Sequence, residues 1–186
     1  MEKSQAKKIA YCGVMSALVF ILLTLETFVF IYFIQPSPAF LTIPFAIALC
    51  LRGSKGDMFV GGTILGFCSF FLSFIVGYAA FYNPLISILP RIMIGVVAVG
   101  VYRLFSLLFQ NAKSLFIKDV LPLSFAGFFG VLTNTVLVLI MLFIFDFSGI
   151  SAVFATIMSL NFTIEAISGI VLTPIFVLTI RKVSKV

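Results

Sequence analysis

The apolar run that begins at Ile9 continues to Ile34 with a single charge, Glu26, and it limits the possible folds more than any other feature of the chain. A helix rising about 1.5 Å per residue over that length exceeds the roughly 30 Å of a bilayer's hydrocarbon core. Similar runs recur to the end of the sequence. With 62% apolar and only 10% charged residues, against about 25% charged in ordinary soluble domains, the chain has too little polar surface to cover a water-facing exterior. The expectation is a single all-α integral membrane domain over residues 1–186, lying in a lipid bilayer.

Prolines and polar turns divide the runs into six expected helices, at about 9–34, 40–51, 58–76, 84–109, 119–145 and 153–180. Pro36 and Pro38 end the first. The charged turn from Arg52 to Asp57 separates the second from the third. Pro84 suits the first turn of the fourth, where a missing N–H is harmless, and Pro90 should kink it. The residues before Ile9 are polar and basic, and no small-residue cleavage site follows, so a removable signal peptide is not expected.

Six crossings put both termini on one side, and eleven of the twelve basic residues fall there. Lys3, Lys7 and Lys8 precede the first helix; Arg52 and Lys55 join the second and third; Arg103, Lys113 and Lys118 flank the fourth-to-fifth connection; Arg181, Lys182 and Lys185 form the tail. The opposite loops hold no Lys or Arg. Under the positive-inside rule the basic side, with both termini, is cytoplasmic in a multi-pass bacterial cell membrane protein. Five or seven crossings would scatter the charges over both faces. The net charge of +6 therefore reads as topology, and nucleic acid is not an expected partner.

Several chemistries are excluded early. The chain has no His and no Trp, so a histidine base or histidine metal site is impossible. Cys12, Cys50 and Cys68 are far apart and lack zinc or redox spacing. Burial as small apolar thiols suits them better. No metal or cofactor is expected.

The twelfth basic residue, Arg91, lies inside the fourth helix, with Glu26 in the first and Glu165 in the sixth. Ionisable groups at membrane depth usually face a bundle interior or a wet cavity and mark function, the alternative being an ion pair that only ties helices together. From the outer helix ends, Arg91 lies roughly 10 Å deep, Glu26 and Asn161 about 12 Å, and Glu165 and Asn134 about 18 Å. Asn161 and Glu165, four apart, share a helix face. Five polar groups from four helices thus converge on one outward-open layer, the arrangement of a pocket for a small polar molecule. Tyr82 and Asn83, at the outer start of the fourth helix, complete the candidate set. Thr133 and Thr135, taken singly, read better as helix-to-helix glue. In the inner half small residues replace polar ones, with Gly13 and Ala17 four apart and Gly62 and Gly66 four apart. Such pairs let another helix approach closely, within the chain or from a docking partner.

Residues 83–91, Asn-Pro-Leu-Ile-Ser-Ile-Leu-Pro-Arg, followed by Gly95, resemble the fourth helix of the substrate-binding S components of energy-coupling factor (ECF) vitamin transporters. The resemblance extends to the chain length, six helices, a Gly13-x-x-x-Ala17 match to the family's Ala-x-x-x-Ala motif, Arg52-Gly53-Ser54-Lys55-Gly56, and Gly130 to Thr135. It implies a high-affinity vitamin-binding subunit that docks through its first helices on a transmembrane coupling subunit driven by two ATPase subunits. It also implies that the subunit topples in the membrane to deliver its vitamin. Lys55-Gly56 lacks the phosphate cradle of a nucleotide site, so ATP and magnesium belong on the partner ATPases and the chain is not itself an enzyme.

One unmatched arginine in an outward cavity suits an anionic group, and Glu165 with two asparagines suits hydroxyls and amides. Pantothenate fits that inventory, and the fourth and fifth helices most resemble the pantothenate-type members. Riboflavin and hydroxymethylpyrimidine-type substrates are the alternatives. A membrane enzyme would need a second carboxylate motif or an activated nucleophile beside Glu26 or Glu165. A stand-alone carrier or channel would need a polar path through the inner half or an internal repeat. Neither set of features is found.

Overall fold

The computed structural model describes residues 2–30, 39–52, 57–114, 116–145 and 152–183, with side chains at 10–29, 39–52, 57–114, 116–145 and 160–182. The side chains of Lys3, Lys7 and Lys8 lie outside these sets, as do Pro36, Pro38, Lys55, Lys185 and the 146–151 turn altogether. The described chain is helical: α1 (Glu2–Phe30), α2 (Thr42–Cys50), α3 (Asp57–Val76), a 3-10 turn (Ala79–Tyr82), α4 (Pro84–Ser87), α5 (Leu89–Leu108), a π turn (Phe116–Val120), α6 (Leu121–Ile144) and α7 (Ala152–Val183). Helices satisfy their own backbone groups, which lipid cannot do.

Five helical stretches are long and apolar enough to cross a membrane, at Ala10–Val29, Asp57–Val76, Pro84–Leu108, Phe116–Ile144 and Leu160–Lys182. The expected helix over 40–51 is not one of these five. There α2 has nine residues, a rise of only about 14 Å. Eight of its residues are buried, and it touches α1, α3, α5, α6 and α7. A helix that is apolar all round belongs in a core, and α2 forms the central post of the bundle.

Contacts at one end fix the relative directions of α1, α2, α3, α5 and α7. Arg181, in the last turn of α7, donates from Nη2 and Nε to Leu51 O (2.7 and 3.2 Å) and from Nη1 to the Tyr102 hydroxyl (3.1 Å). Arg52 pairs with Asp57 at 3.0 Å and covers the Tyr11 ring at 4.4 Å. Early α1, the ends of α2 and α5, the start of α3 and the end of α7 therefore share one end of the bundle, hereafter the basic end. For Arg52, burial pulls the guanidinium's pKa down, but its interactions with Asp57 and Tyr11 together outweigh this and the net direction is up.

Glycines set the closest helix approaches. A Cβ on Gly95 would lie 2.0 Å from Met58 O, one on Gly61 2.0 Å from Ala46 O, and one on Gly127 2.0 Å from Gly169 O. Lipid provides no hydrophobic drive between helices, so close packing of this kind holds them together.

The expected kink at Pro90 coincides with a one-residue interruption of the helix. The helix divides at Ile88, between α4 and α5. Pro90 lacks the N–H that Ile86 O would accept, and the Arg91 guanidinium takes its place, Nη1 donating to Ile86 O at 2.8 Å.

Candidate functional site

At the end of the bundle opposite the basic cluster, α1, α3, α5, α6 and α7 surround a cavity with about 800 Å³ of atom-free space, its open mouth included. The wall is apolar at Leu23, Ile43, Leu65, Leu72 and Val138 and polar at Arg91, Asn134, Asn161, Glu165 and Thr135. Four of the seven residues expected to bind substrate, Arg91, Asn134, Asn161 and Glu165, thus meet in one cavity.

Each is held by local structure. Arg91 is anchored by its single bond to Ile86 O and by the Phe81 ring 5.1 Å away. Among the described residues no carboxylate lies within ion-pairing distance of it, although Arg91 and Glu165 act on each other electrostatically. Glu165 is 7% exposed and accepts the Ala39 N–H at 2.9 Å. Asn161, one turn earlier on α7, is buried. The side-chain oxygen of Asn134 is buried and accepts no hydrogen bond.

The other three expected residues are placed elsewhere. Glu26 is buried but absent from the cavity wall; its carboxylate accepts the Leu41 N–H, the Thr42 N–H and the Thr42 hydroxyl, and so fastens the start of α2 to α1. Asn83 caps α4, its Oδ1 accepting from Leu85 N at 3.0 Å. Tyr82 stacks on Phe74 with ring centroids 4.6 Å apart, on the exterior. In the structure all three make local contacts of this kind and none lines the cavity. Thr133 bonds back to Phe129 O at 2.7 Å, whereas Thr135 faces the cavity.

Ser69, Ser73, Tyr78 and Phe81 line the cavity without having been expected. Their signal is Gly77, whose φ of +84° reverses the chain after α3. The N–H groups of Gly77 and Tyr78 both return to Ser73 O, at 2.9 and 3.0 Å, a glycine-terminated helix end. The Ser73 hydroxyl bonds Phe70 O at 2.7 Å and Phe81 O at 3.3 Å. Tyr78 is thereby turned inward, its hydroxyl buried and without a hydrogen-bond partner. Burial pushes the phenol's pKa up, so it remains a proton donor at neutral pH.

The small-residue pairs also part company. Gly13 and Ala17 lie on the exposed side of α1, and a Cβ on Gly13 would meet nothing within 4 Å. Gly62 and Gly66 are buried: a Cβ on Gly62 would lie 2.2 Å from Arg91 O and one on Gly66 3.1 Å from the Ile88 Cα. They pack within the chain, seating α3 against the α4–α5 segment next to Arg91. Among the described residues no group of three or more His, Cys, Asp or Glu side chains could hold a metal.

No family model matches the chain, and neither a curated protein nor a solved structure matches it. The findings identify an all-helical, multi-pass membrane protein with a polar cavity at one end.

Proposed function

We propose that the chain is the substrate-binding S component of an ECF-type vitamin transporter, and that its substrate is pantothenate. Arg91 carries the reading: a guanidinium in a membrane-embedded cavity, held by one backbone carbonyl and without a carboxylate at ion-pairing distance, suits a ligand's own carboxylate. Asn134, Asn161 and Glu165 then face its amide and hydroxyl groups. The resemblance of residues 83–91 and 130–135 to the family's motifs supports the same assignment.

In this reading the basic end is cytoplasmic, following the distribution of Lys and Arg, and the cavity faces outward to capture the vitamin. Delivery requires a transmembrane coupling subunit and two ATPase subunits, which carry the ATP and magnesium. The α1 face with Gly13 and Ala17 supports docking there, because both are exposed and, among the described residues, nothing lies within 4 Å of a Cβ on Gly13.

The test is uptake of labelled pantothenate into vesicles containing the chain with and without an ECF coupling module. The expected result is ATP-dependent uptake only when both are present. Uptake by the chain alone would make it a stand-alone carrier. Saturable riboflavin or hydroxymethylpyrimidine binding in place of pantothenate would change the vitamin and leave the class intact.

A further inference from the structure

Two polar atoms in the cavity wall, the Tyr78 hydroxyl and the Asn134 side-chain oxygen, are buried without a hydrogen-bond partner. Leaving such a group unpaired costs about 1–3 kcal/mol, so native interiors seldom retain one unless something else fills it. Both belong to elements whose placement is otherwise settled. Asn134 is on α6, directly before Thr135, which also faces the cavity. Tyr78 is fixed by the Gly77 turn and by Phe81 N–H, which donates to Tyr78 O at 3.0 Å. The two atoms are chemically complementary: the phenol offers a proton and the carboxamide oxygen accepts one. Neither is a charge, in contrast to Arg91.

We infer that Tyr78 and Asn134 form a second, neutral subsite of the cavity, one that selects small carboxylates bearing hydroxyl groups over the same carboxylates without them. The inference rests on the reading of Arg91 as a carboxylate anchor and adds what the rest of the ligand must carry. A hydroxyl group accepts from Tyr78 and donates to Asn134, whereas an alkyl group in its place leaves both buried atoms unmatched. A site built to bond a hydroxyl rejects the analogue lacking it more strongly than an apolar site rejects an added methylene.

Paired ligands titrated into the purified full chain test this. The pairs are pantothenate with N-(3,3-dimethylbutanoyl)-β-alanine, and pantoate with 3,3-dimethylbutanoate, each second member lacking only the hydroxyls. The wild type is expected to prefer the hydroxylated member of a pair at least about tenfold, and Tyr78→Phe to reduce that preference about tenfold, at unchanged melting temperature. Asn134→Ala should act in the same direction. Equal loss for both members of a pair, or an unchanged preference in Tyr78→Phe, overturns the subsite, because the phenol would then be bonded only to water. Binding of pantoate but not pantothenate, with the Tyr78 dependence intact, removes the pantothenate assignment and keeps the subsite. Failure of all four carboxylates to bind overturns both.

Discussion

Arg181 and Arg91 are both guanidinium groups in an apolar helical bundle, and they are treated differently. Arg181, at the basic end, uses Nε, Nη1 and Nη2 to close the carbonyl end of α2 and to hold the Tyr102 hydroxyl. Arg91, at the cavity end, makes one bond among the described residues, to the carbonyl released by Pro90. The same contrast runs through their surroundings. At the inner junction of α2, α3 and α5, glycines bring backbones to a distance that leaves no room for a methyl group. Around the cavity, Tyr78 and Asn134 keep buried polar atoms unmatched. Arg181 spends its guanidinium nitrogens on the fold, whereas Arg91 keeps donors directed at the cavity.

If this division is right, mutations at the two ends fail in different measurements. The largest effect belongs to Arg91→Ala, which on the proposed function removes one partner of a desolvated charge pair with the ligand. A loss of about 3 to 5 kcal/mol corresponds to at least about a hundredfold weaker binding. A melting curve of the ligand-free variant should show a much smaller change.

Gly95→Ala should do the reverse. Its Cβ would overlap Met58 O, and overpacking of this kind costs about 1 to 3 kcal/mol, occasionally more, read as a lowered melting temperature. A stable Gly95→Ala protein would mean that the inner junction is looser than the structure has it.

Glu26→Ala sharpens the boundary between the two ends. It leaves the Leu41 and Thr42 N–H groups without their acceptor, at a cost of about 1 to 3 kcal/mol. Thermal stability should fall, with pantothenate affinity among the surviving molecules reduced far less than in Arg91→Ala. A hundredfold affinity loss at unchanged stability would return Glu26 to the cavity.

Gly13→Leu should be the mildest for the isolated chain, since nothing lies within 4 Å of its Cβ. Its stability should stay within about 0.5 kcal/mol of wild type. Uptake and co-purification with the coupling subunit should drop together, because the added bulk holds a partner helix away. A destabilised subunit that still assembled would place the α1 surface inside the fold.

Much of this arrangement is legible in the sequence because helices convert residue number into depth. Counting from the helix ends brought Arg91, Asn134, Asn161 and Glu165 to one layer, and the structure joins them in one cavity. Rotation about a helix axis is harder to read. In a soluble protein polar residues mark the outer face, but here lipid and core are equally apolar. The four-residue spacing of Gly13 with Ala17 therefore looks the same as that of Gly62 with Gly66, although the first pair is exposed and the second buried. Glu26 shares the right depth and differs in direction. Tyr78 was hidden for another reason: it lies outside any regular helix, and only the positive φ of Gly77 turns it inward. The length of α2 was also ambiguous, because a short apolar run has the same composition whether it ends a crossing or fills a core.

Calorimetric titration of pantothenate into the purified chain, beside the folded Arg91→Ala variant, bears most directly on the reading of the cavity. Saturable one-to-one binding by the wild type and at least about hundredfold weaker binding by the variant is the predicted result. Equal affinities, with both proteins folded, would contradict it and make Arg91 a fastener like Arg181.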